Sequence, residues 1–464
     1  MHSCILNFYS MKIKIQILIL IILPALPAFS QFSGFPDITP RPPEPATLKP
    51  DIRIGNEPSS SRGYSYPGIR HPHHTDTYDY DSEILHRRNL INRKIIEEAT
   101  AHIKERENAM KLARQLLDHG FPSWAREKGT ACFYSAFDEL CGMLHDSLPM
   151  NLGRAIFITE NAFLENTMNY NAFEASLQKR IDLCNWKLNE LKKKTSDDFT
   201  KNAVLYSLMT DTFTVCLPGT EKQIIHYPVQ YNLDDYRSEK NFTSHFITTL
   251  LATNRGQCHS MPLLYMILAE RLGSEAYLSF APHHSLVKIR GNNGEWYNLE
   301  ITCRYILSDY HYMNHSFIKT EAIRSGLYLS ALDKKETLAS IVALLGRYYL
   351  LKYGYDPFIL KCAEEAKKYM KVPLDALILE ANYETRLTME VARLLNIPTP
   401  QAMREMCPEA YKHYEHMQEI YRKIDDTGYE NIPPEVYDRW LKHIEQEKEK
   451  EKRHPRSPFI QIIK

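Results

Sequence analysis

Three side chains in the stretch from Arg255 to Thr302 could together run nucleophilic thiol chemistry. Cys258 stands in RGQCHSMPLLYMILAERLG, at the mouth of an apolar helical run. His283 and His284 stand in YLSFAPHHSLVKIR, where a strand begins, and Glu300 closes the following strand in EWYNLEIT. A thiol attacks as the thiolate, and a free cysteine is mostly protonated at neutral pH. A helix N-terminus and an adjacent imidazolium both favour the thiolate. A third group on the far side of the imidazole holds its tautomer and orientation.

The elements that must position these groups are legible around them. Gly256 suits a tight turn before the cysteine, and Pro262 falls in the first helical turn, where its missing N–H costs nothing. Ser260 can cap. The backbone amides around Gln257 and Cys258 are candidates for an oxyanion hole. Met261 to Leu272 is apolar nearly all round, which predicts a buried helix. Tyr277–Phe280, Leu286–Ile289 and Trp296–Leu299 read as strands, with Gly291-Asn-Asn-Gly as the hairpin turn between the last two. That hairpin brings Glu300 back towards the histidines. Side chains alternate along a strand, so only one of His283 and His284 can face the helix. Trp296, on the strand of Glu300, is a candidate to cover the site and exclude water. Asn298 alternates onto the same face as Glu300 and is a second candidate orienting group. His259 is expected to pack or cap, and Cys303 to be a core thiol at a strand end.

This order of motifs resembles the transglutaminase-like superfamily, with its papain-like fold, and within it a bacterial branch of exported proteins. The family pattern is G-x-C-x-S at a helix start, P-x-H at a strand start, and W-x-x-x-[DE]-x-T along a strand. Here these read Gly256-Gln257-Cys258-His259-Ser260, Pro282-His283-His284, and Trp296-Tyr297-Asn298-Leu299-Glu300-Ile301-Thr302. Carried over, the resemblance implies Cys258 as nucleophile, His284 as base and Glu300 as orienting acid. Gln257 and Trp296 then shape the site. The family usually places Asp at the third position, one methylene shorter than Glu300. The likeness covers about Phe242 to Thr302. It implies an enzyme acting on amide bonds through a thioacyl intermediate, as a peptidase or amidase, on a peptide, protein or cell-wall amide. No cofactor or metal is implied, and no acidic loop of EF-hand type is present. The alternative is an inactive scaffold that binds peptide or protein partners.

The expected fold class is α+β: a helix packed on an antiparallel sheet, flanked by N-terminal helices and a C-terminal helical region. The regions are a signal peptide at 1–30, a disordered Pro-rich linker at 31–82, and a helical region at 83–215. The core follows at 216–320, then C-terminal helices at 321–444 and a charged tail at 445–464. Lys12 and Lys14 precede an apolar run, Ile15 to Leu26, and Ala28-Phe29-Ser30 has the small-x-small form of a cleavage site before Gln31. The run is short for a membrane span, which predicts export to the periplasm or exterior with no span left after cleavage; a retained anchor is the alternative. In the C-terminal region, Leu345-Gly346 with Tyr349, then Ala363 and Ala366, resembles a tetratricopeptide helix pair one residue out of register, and a plain helical bundle is the alternative. A continuous helix is expected from Met403 to Ile424.

Lys plus Arg equals Asp plus Glu at 57 each, so the charge balance does not point to nucleic acid. Of 9 cysteines, all but Cys4 lie beyond the leader, dispersed without CxxC pairs or zinc-ligand spacing, and buried thiols are expected. His71 to His74 is either a solvated tract or a metal-binding cluster. Asn241-Phe-Thr243 and Asn314-His-Ser316 match the glycosylation acceptor pattern.

Overall fold

Helix starts are set by side chains placed to accept the first free amides. Asn151, Asn169, Asp197, Ser308, Asp356 and Thr399 each accept a backbone N–H one to three residues into the helix they open. Asp333 and Glu336 form a reciprocal capping box. These caps and the apolar faces behind them make the chain an α+β protein. The computed structural model describes residues 77–191, 197–216, 223–235, 238, 241–430 and 460–463, with isolated helical positions 435, 439, 442 and 446. The expected leader, most of the expected linker and the His71–His74 cluster lie outside these residues.

In chain order the helices are α1 (Thr77–His119), α2 (Thr130–Leu144), α3 (Leu152–Phe163), α4 (Tyr170–Glu190) and α5 (Asp198–Thr210). Strands β1 (Phe213–Cys216) and β2 (Gln223–His226) follow, then the short β3 (Gln230–Tyr231), α6 (Ile247–Thr253) and β4 (Arg255–Gly256). Next come α7 (Ser260–Leu272), β5 (Tyr277–Ala281), β6 (His284–Arg290), β7 (Trp296–Glu300) and β8 (Tyr305–Leu307). The remainder is α8 (Asp309–His315), α9 (Thr320–Ser325), α10 (Lys334–Tyr353), α11 (Pro357–Lys367), α12 (Leu374–Leu394), α13 (Pro400–Met406), α14 (Pro408–Asp426) and β9 (Ile460–Ile463). Among the described residues no helix is long and apolar enough to cross a membrane.

Packing divides the chain within α1, between Leu112 and Ala113. The first unit is described only by its part of α1, where Ile91, Ile95, Ile96 and Ile103 stay exposed. The helix begins at Thr77, so the last residues of the expected linker are already helical. From Ala113 onward the helices and sheets share a core that composition alone divides into regions. One buried cluster joins Phe133 of α2, Ile156 of α3, Leu264 of α7, Val287 of β6 and Leu345 of α10.

The sheet that carries His284 and Glu300 has the order β5-β6-β7-β8, antiparallel throughout. Val287, Ile289 and Leu299 alternate onto the face that joins α7 in the core. Leu286 and Ala281 fall on the other face, with Tyr312 and Tyr328. The outer edge of β5 is covered: the Leu329 and Leu332 amides donate to the carbonyls of Phe280 and Leu278. At the opposite edge, β8 presents Tyr305 and Ile306 exposed.

Three local expectations change. The run expected from Phe242 to Leu251 is a 3-10 turn, Phe242–His245, followed by α6, because a distant carboxylate sets the helix start. Glu160 of α3 accepts from the Ile247 amide at 2.7 Å and the Thr248 amide at 3.0 Å. The run from Met403 to Ile424 is broken at Cys407, because Pro408 has no N–H to continue the ladder and its ring clashes with the preceding turn. The charged tail ends in β9, which pairs antiparallel with β2. Gly346 explains the close seat of α11 on α10, since a Cβ there would stand 2.8 Å from Cys362 Cβ. None of the cysteines among the described residues is joined in a disulfide.

Glu160 is buried at 3 % exposure, so truncating it would strand two helix N-terminal amides away from water. Glu160→Ala should lower unfolding stability by roughly 2–4 kcal/mol. Urea denaturation reads this directly, and a loss under about 0.5 kcal/mol would show that the cap is not needed.

Candidate functional site

The chain reaches Cys258 through the short parallel pair β3–β4, which fixes Gly256 beside Tyr231. Gly256 does not adopt a positive φ, so its role is space and not the tight turn expected. A Cβ on it would stand 2.9 Å from Ser260 Oγ and 3.0 Å from both Leu250 Cδ2 and Met261 Cγ. The Met261 amide donates to the Gln257 carbonyl, so helical bonding reaches back over Cys258, two residues ahead of α7. Cys258 therefore sits at a helix N-terminus and is 4 % exposed.

His284 is the first residue of β6, directly after a two-residue hairpin in which Ala281 pairs with His284. The turn is Pro282-His283, and His283 takes φ 55°. A left-handed conformation is costly for a bulky residue and fixes how the chain enters β6. The turn spends His283 on that bend and gives His284 to the site. Burial lowers the His283 pKa to about 4.

The His284 ring joins the other two groups. Its Nε2 lies 2.6 Å from Glu300 Oε2, and the ring is also hydrogen-bonded to the Cys258 side chain. With Nε2 committed to the carboxylate, Nδ1 is the nitrogen left for sulfur. Burial opposes charge on this ring, but the Glu300 carboxylate and the bonds to Cys258 and Glu300 outweigh it. The His284 pKa is raised well above its usual value.

Glu300 is 4 % exposed and receives donors on both oxygens. Oε2 accepts from His284 and from Tyr312 Oη at 2.7 Å, while Oε1 accepts from Thr302 Oγ1 at 2.6 Å and the Thr302 amide at 3.2 Å. Burial pushes its pKa up, and the charge and donation of His284, with Thr302 and Tyr312, bring it below the ordinary value. Burial and the same carboxylate raise the Tyr312 pKa, so its hydroxyl keeps its proton to donate.

The structure thus brings Cys258, His284 and Glu300 together and adds Tyr312 of α8 and Thr302. Thr302 was visible as the last letter of the W-x-x-x-E-x-T string. Tyr312 carried no signal, since it arrives from a separate helix 12 residues on.

Other candidates fall elsewhere. Trp296 opens β7 opposite Arg290, at the far end of the strand from Glu300, and packs edge-on against Tyr277 at 5.3 Å. It is 43 % exposed and cannot cover the site. Four residues of strand separate it from Glu300 by about 13 Å. The Gln257 amide donates to Ser260 Oγ at 3.0 Å, so it is not a free oxyanion donor. The same bond turns Ser260 back towards the entering loop. The Gln257 side chain shapes the site from behind, donating to the Asp235 carbonyl and accepting from Ser238 Oγ.

Asn298 Nδ2 donates to Asp309 Oδ1 at 2.7 Å, which the buried Lys288 also contacts at 2.7 Å. Asn298 therefore braces the start of α8 and does not orient the imidazole. His259 makes no side-chain cap and is buried, its ring kept neutral by burial and the Arg347 charge, with a pKa of about 3. Cys303 is exposed and not a core thiol; partial burial of its sulfur and the Glu300 charge push its pKa to about 12. Asn241 caps the 3-10 turn by accepting from the Thr243 amide and hydroxyl, which gives its spacing to Thr243 a structural use.

A buried thiol, an imidazole and an acceptor-saturated carboxylate in series can shuttle one proton between sulfur and an incoming or leaving group. Among the described residues no cluster of His, Cys, Asp and Glu has the form of a metal site. No family model, curated protein or solved structure matches the chain.

The pair makes a signed pH prediction. The lowered Glu300 pKa contributes stability that is full above 4.5 and lost as pH falls. The raised His284 pKa contributes stability that is full below 6.5 and lost as pH rises through the folded value. The stability difference between the parent and Glu300→Gln should therefore peak between pH 4.5 and 6.5 and shrink on both sides. Denaturant titrations of both proteins from about pH 4 to about pH 9 measure it; a flat difference would remove the ion pair.

Proposed function

We propose that the protein is a transglutaminase-like cysteine enzyme that acts on amide bonds, as a peptidase or amidase. The observation that carries this reading is the His284 ring held between the Cys258 thiol and the Glu300 carboxylate. In the first half-reaction Cys258 passes its proton to His284 Nδ1, and sulfur attacks the substrate carbonyl carbon. The carbonyl π pair moves to oxygen. As it returns, the C–N bond breaks and the amine leaves with the proton from His284. In the second half-reaction His284 takes a proton from water and the hydroxide attacks the thioester carbonyl, whose π pair moves to oxygen. As that pair returns, the C–S bond breaks, the acyl group leaves as a carboxylic acid, and sulfur takes the proton back from His284. Glu300 stabilises the imidazolium at each stage, and Tyr312 and Thr302 keep Glu300 in place. The substrate class is a peptide, protein or cell-wall amide. The proposal includes export, carried by the residue 1–30 leader, so that the mature chain meets its substrate in the periplasm or outside the cell.

One observation favours a second reading. Cys258 is 4 % exposed, and the cavity described below does not reach it. A fold that has lost turnover and holds a peptide or protein partner would keep the same triad geometry.

Iodoacetamide competition separates the two. For an enzyme, Cys258 should label faster than the exposed Cys216 and Cys303 near neutral pH, and His284→Ala should slow it by roughly 100-fold or more. Mass spectrometry of the labelled peptides reports it. Labelling of Cys258 no faster than the exposed thiols defeats the catalytic reading. Retention of cellular function by Cys258→Ala would favour the scaffold.

A further inference from the structure

We propose that the cavity at the end of β5 is a binding site for a small group that presents a primary ammonium on a short apolar stem. The cavity has a volume of about 100 Å³, enough for several waters or one small ligand. Its walls include Phe280, Leu327, Tyr328, Leu332, Leu374 and Asp375. None of the three triad residues lines it, so the proposal stands apart from the thiol chemistry.

Two polar groups in this cavity lack the partners that buried polar groups ordinarily have. Tyr328 is 4 % exposed, and its hydroxyl has no hydrogen-bond partner among the described residues. That hydroxyl lies close enough to Asp375 and Tyr429 to feel their charge. Asp375, in the first turn of α12, receives no hydrogen bond from a described residue; the buried Arg347 acts on it only through its charge. Burial raises the Asp375 pKa to about 6, which leaves it mostly ionised at neutral pH.

The other polar side chains at the rim are occupied. Glu336 accepts from the Asp333 amide and lies 3.7 Å from Lys371 Nζ, and Ser325 and Ser330 donate to backbone carbonyls. What remains in the lining is one carboxylate that can only accept and one hydroxyl near enough to feel its charge, among apolar walls. An ammonium donates to both oxygens at once, and its stem lies against Phe280, Leu327 and Leu332. An anion would meet the Glu336 and Asp375 carboxylates with Lys371 already drawn to Glu336, and an alcohol would give the Asp375 carboxylate one neutral donor in place of a charged one.

Two sources carry this chemistry: a free alkylamine and the side chain of a lysine in a peptide. Calorimetric titration of the full chain with butylamine, with butanol as the uncharged control, tests the site. N-acetyl-lysine amide distinguishes the sources. Butylamine should bind saturably with a Kd on the order of 1 mM. Butanol should bind about tenfold more weakly or worse. Binding of the lysine amide as well assigns the site to a peptide side chain; binding of butylamine alone assigns it to a free amine. Asp375→Asn should weaken butylamine by roughly tenfold.

Tyr328→Phe removes only a hydroxyl that has no partner, so it should fold and weaken binding about threefold. It keeps the test decisive if Asp375→Asn does not fold. Cys258→Ala should bind like the parent, so loss of thiol chemistry and loss of this site are read separately. The proposal is overturned if butylamine fails to saturate, if butanol binds equally, or if folded Asp375→Asn binds like the parent.

Discussion

A carboxylate has been taken out of water and kept ionised, and much of the surrounding structure exists to make that tolerable. Glu300 is buried beneath the sheet end, where a bare charge would cost more than the fold could spare. Four donors, from His284, Tyr312 and Thr302, replace the lost water. Each comes from a different kind of local structure. His284 begins a strand, Thr302 follows the end of the neighbouring strand, and Tyr312 reaches in from α8. Removing any one leaves the others holding a charge they satisfy less completely.

That requirement explains why α8 is braced so firmly. Lys288 is buried on the same sheet face, and its ammonium meets Asp309 and the Leu329 carbonyl. Asn298, directly opposite Lys288 in the register, meets the same Asp309 oxygen. The first residue of α8 is thereby clamped to two adjacent strands, and Tyr312 follows one turn later on the same helix. The loop carrying Cys258 is held separately, through Gln257 and the tight contacts around Gly256. The Cys258 thiol and the Glu300 carboxylate therefore rest on two separately anchored segments that meet at the His284 ring.

How much of this the sequence revealed depends on whether the information was local. The strands around Leu286 and Trp296 and the hairpin between them were legible, because alternation and the GNNG turn act over neighbouring residues. The preference for His284 over His283 rested on the P-x-H pattern; alternation does not decide it, because His283 lies in the turn and His284 falls on the Leu286 face of the sheet. What failed was anything that needed a long-range partner. Trp296 and Glu300 share a strand, but antiparallel pairing sends the tryptophan to the end opposite the histidine. Glu160 sets the start of α6 from 87 residues away, which no window around Phe246 contains. Tyr312 sits in DYHYMNH, where nothing in composition distinguishes it from Tyr310, which is 74 % exposed. The break at Cys407 was available locally, since Pro408 announces it, and helical periodicity on either side obscured it.

The two edges of the site-bearing sheet carry a further consequence. Leu329 and Leu332 occupy the outer edge of β5, so nothing more can be added there. Among the described residues β8 has a neighbour on one side only, with Tyr305 and Ile306 facing outward. An uncovered strand edge is a template for another strand, and what limits this one is its brevity, since β8 has three residues. Growth of the sheet is therefore directional. A strand added to this sheet would pair beside Tyr305, the residue that Glu300 pairs with.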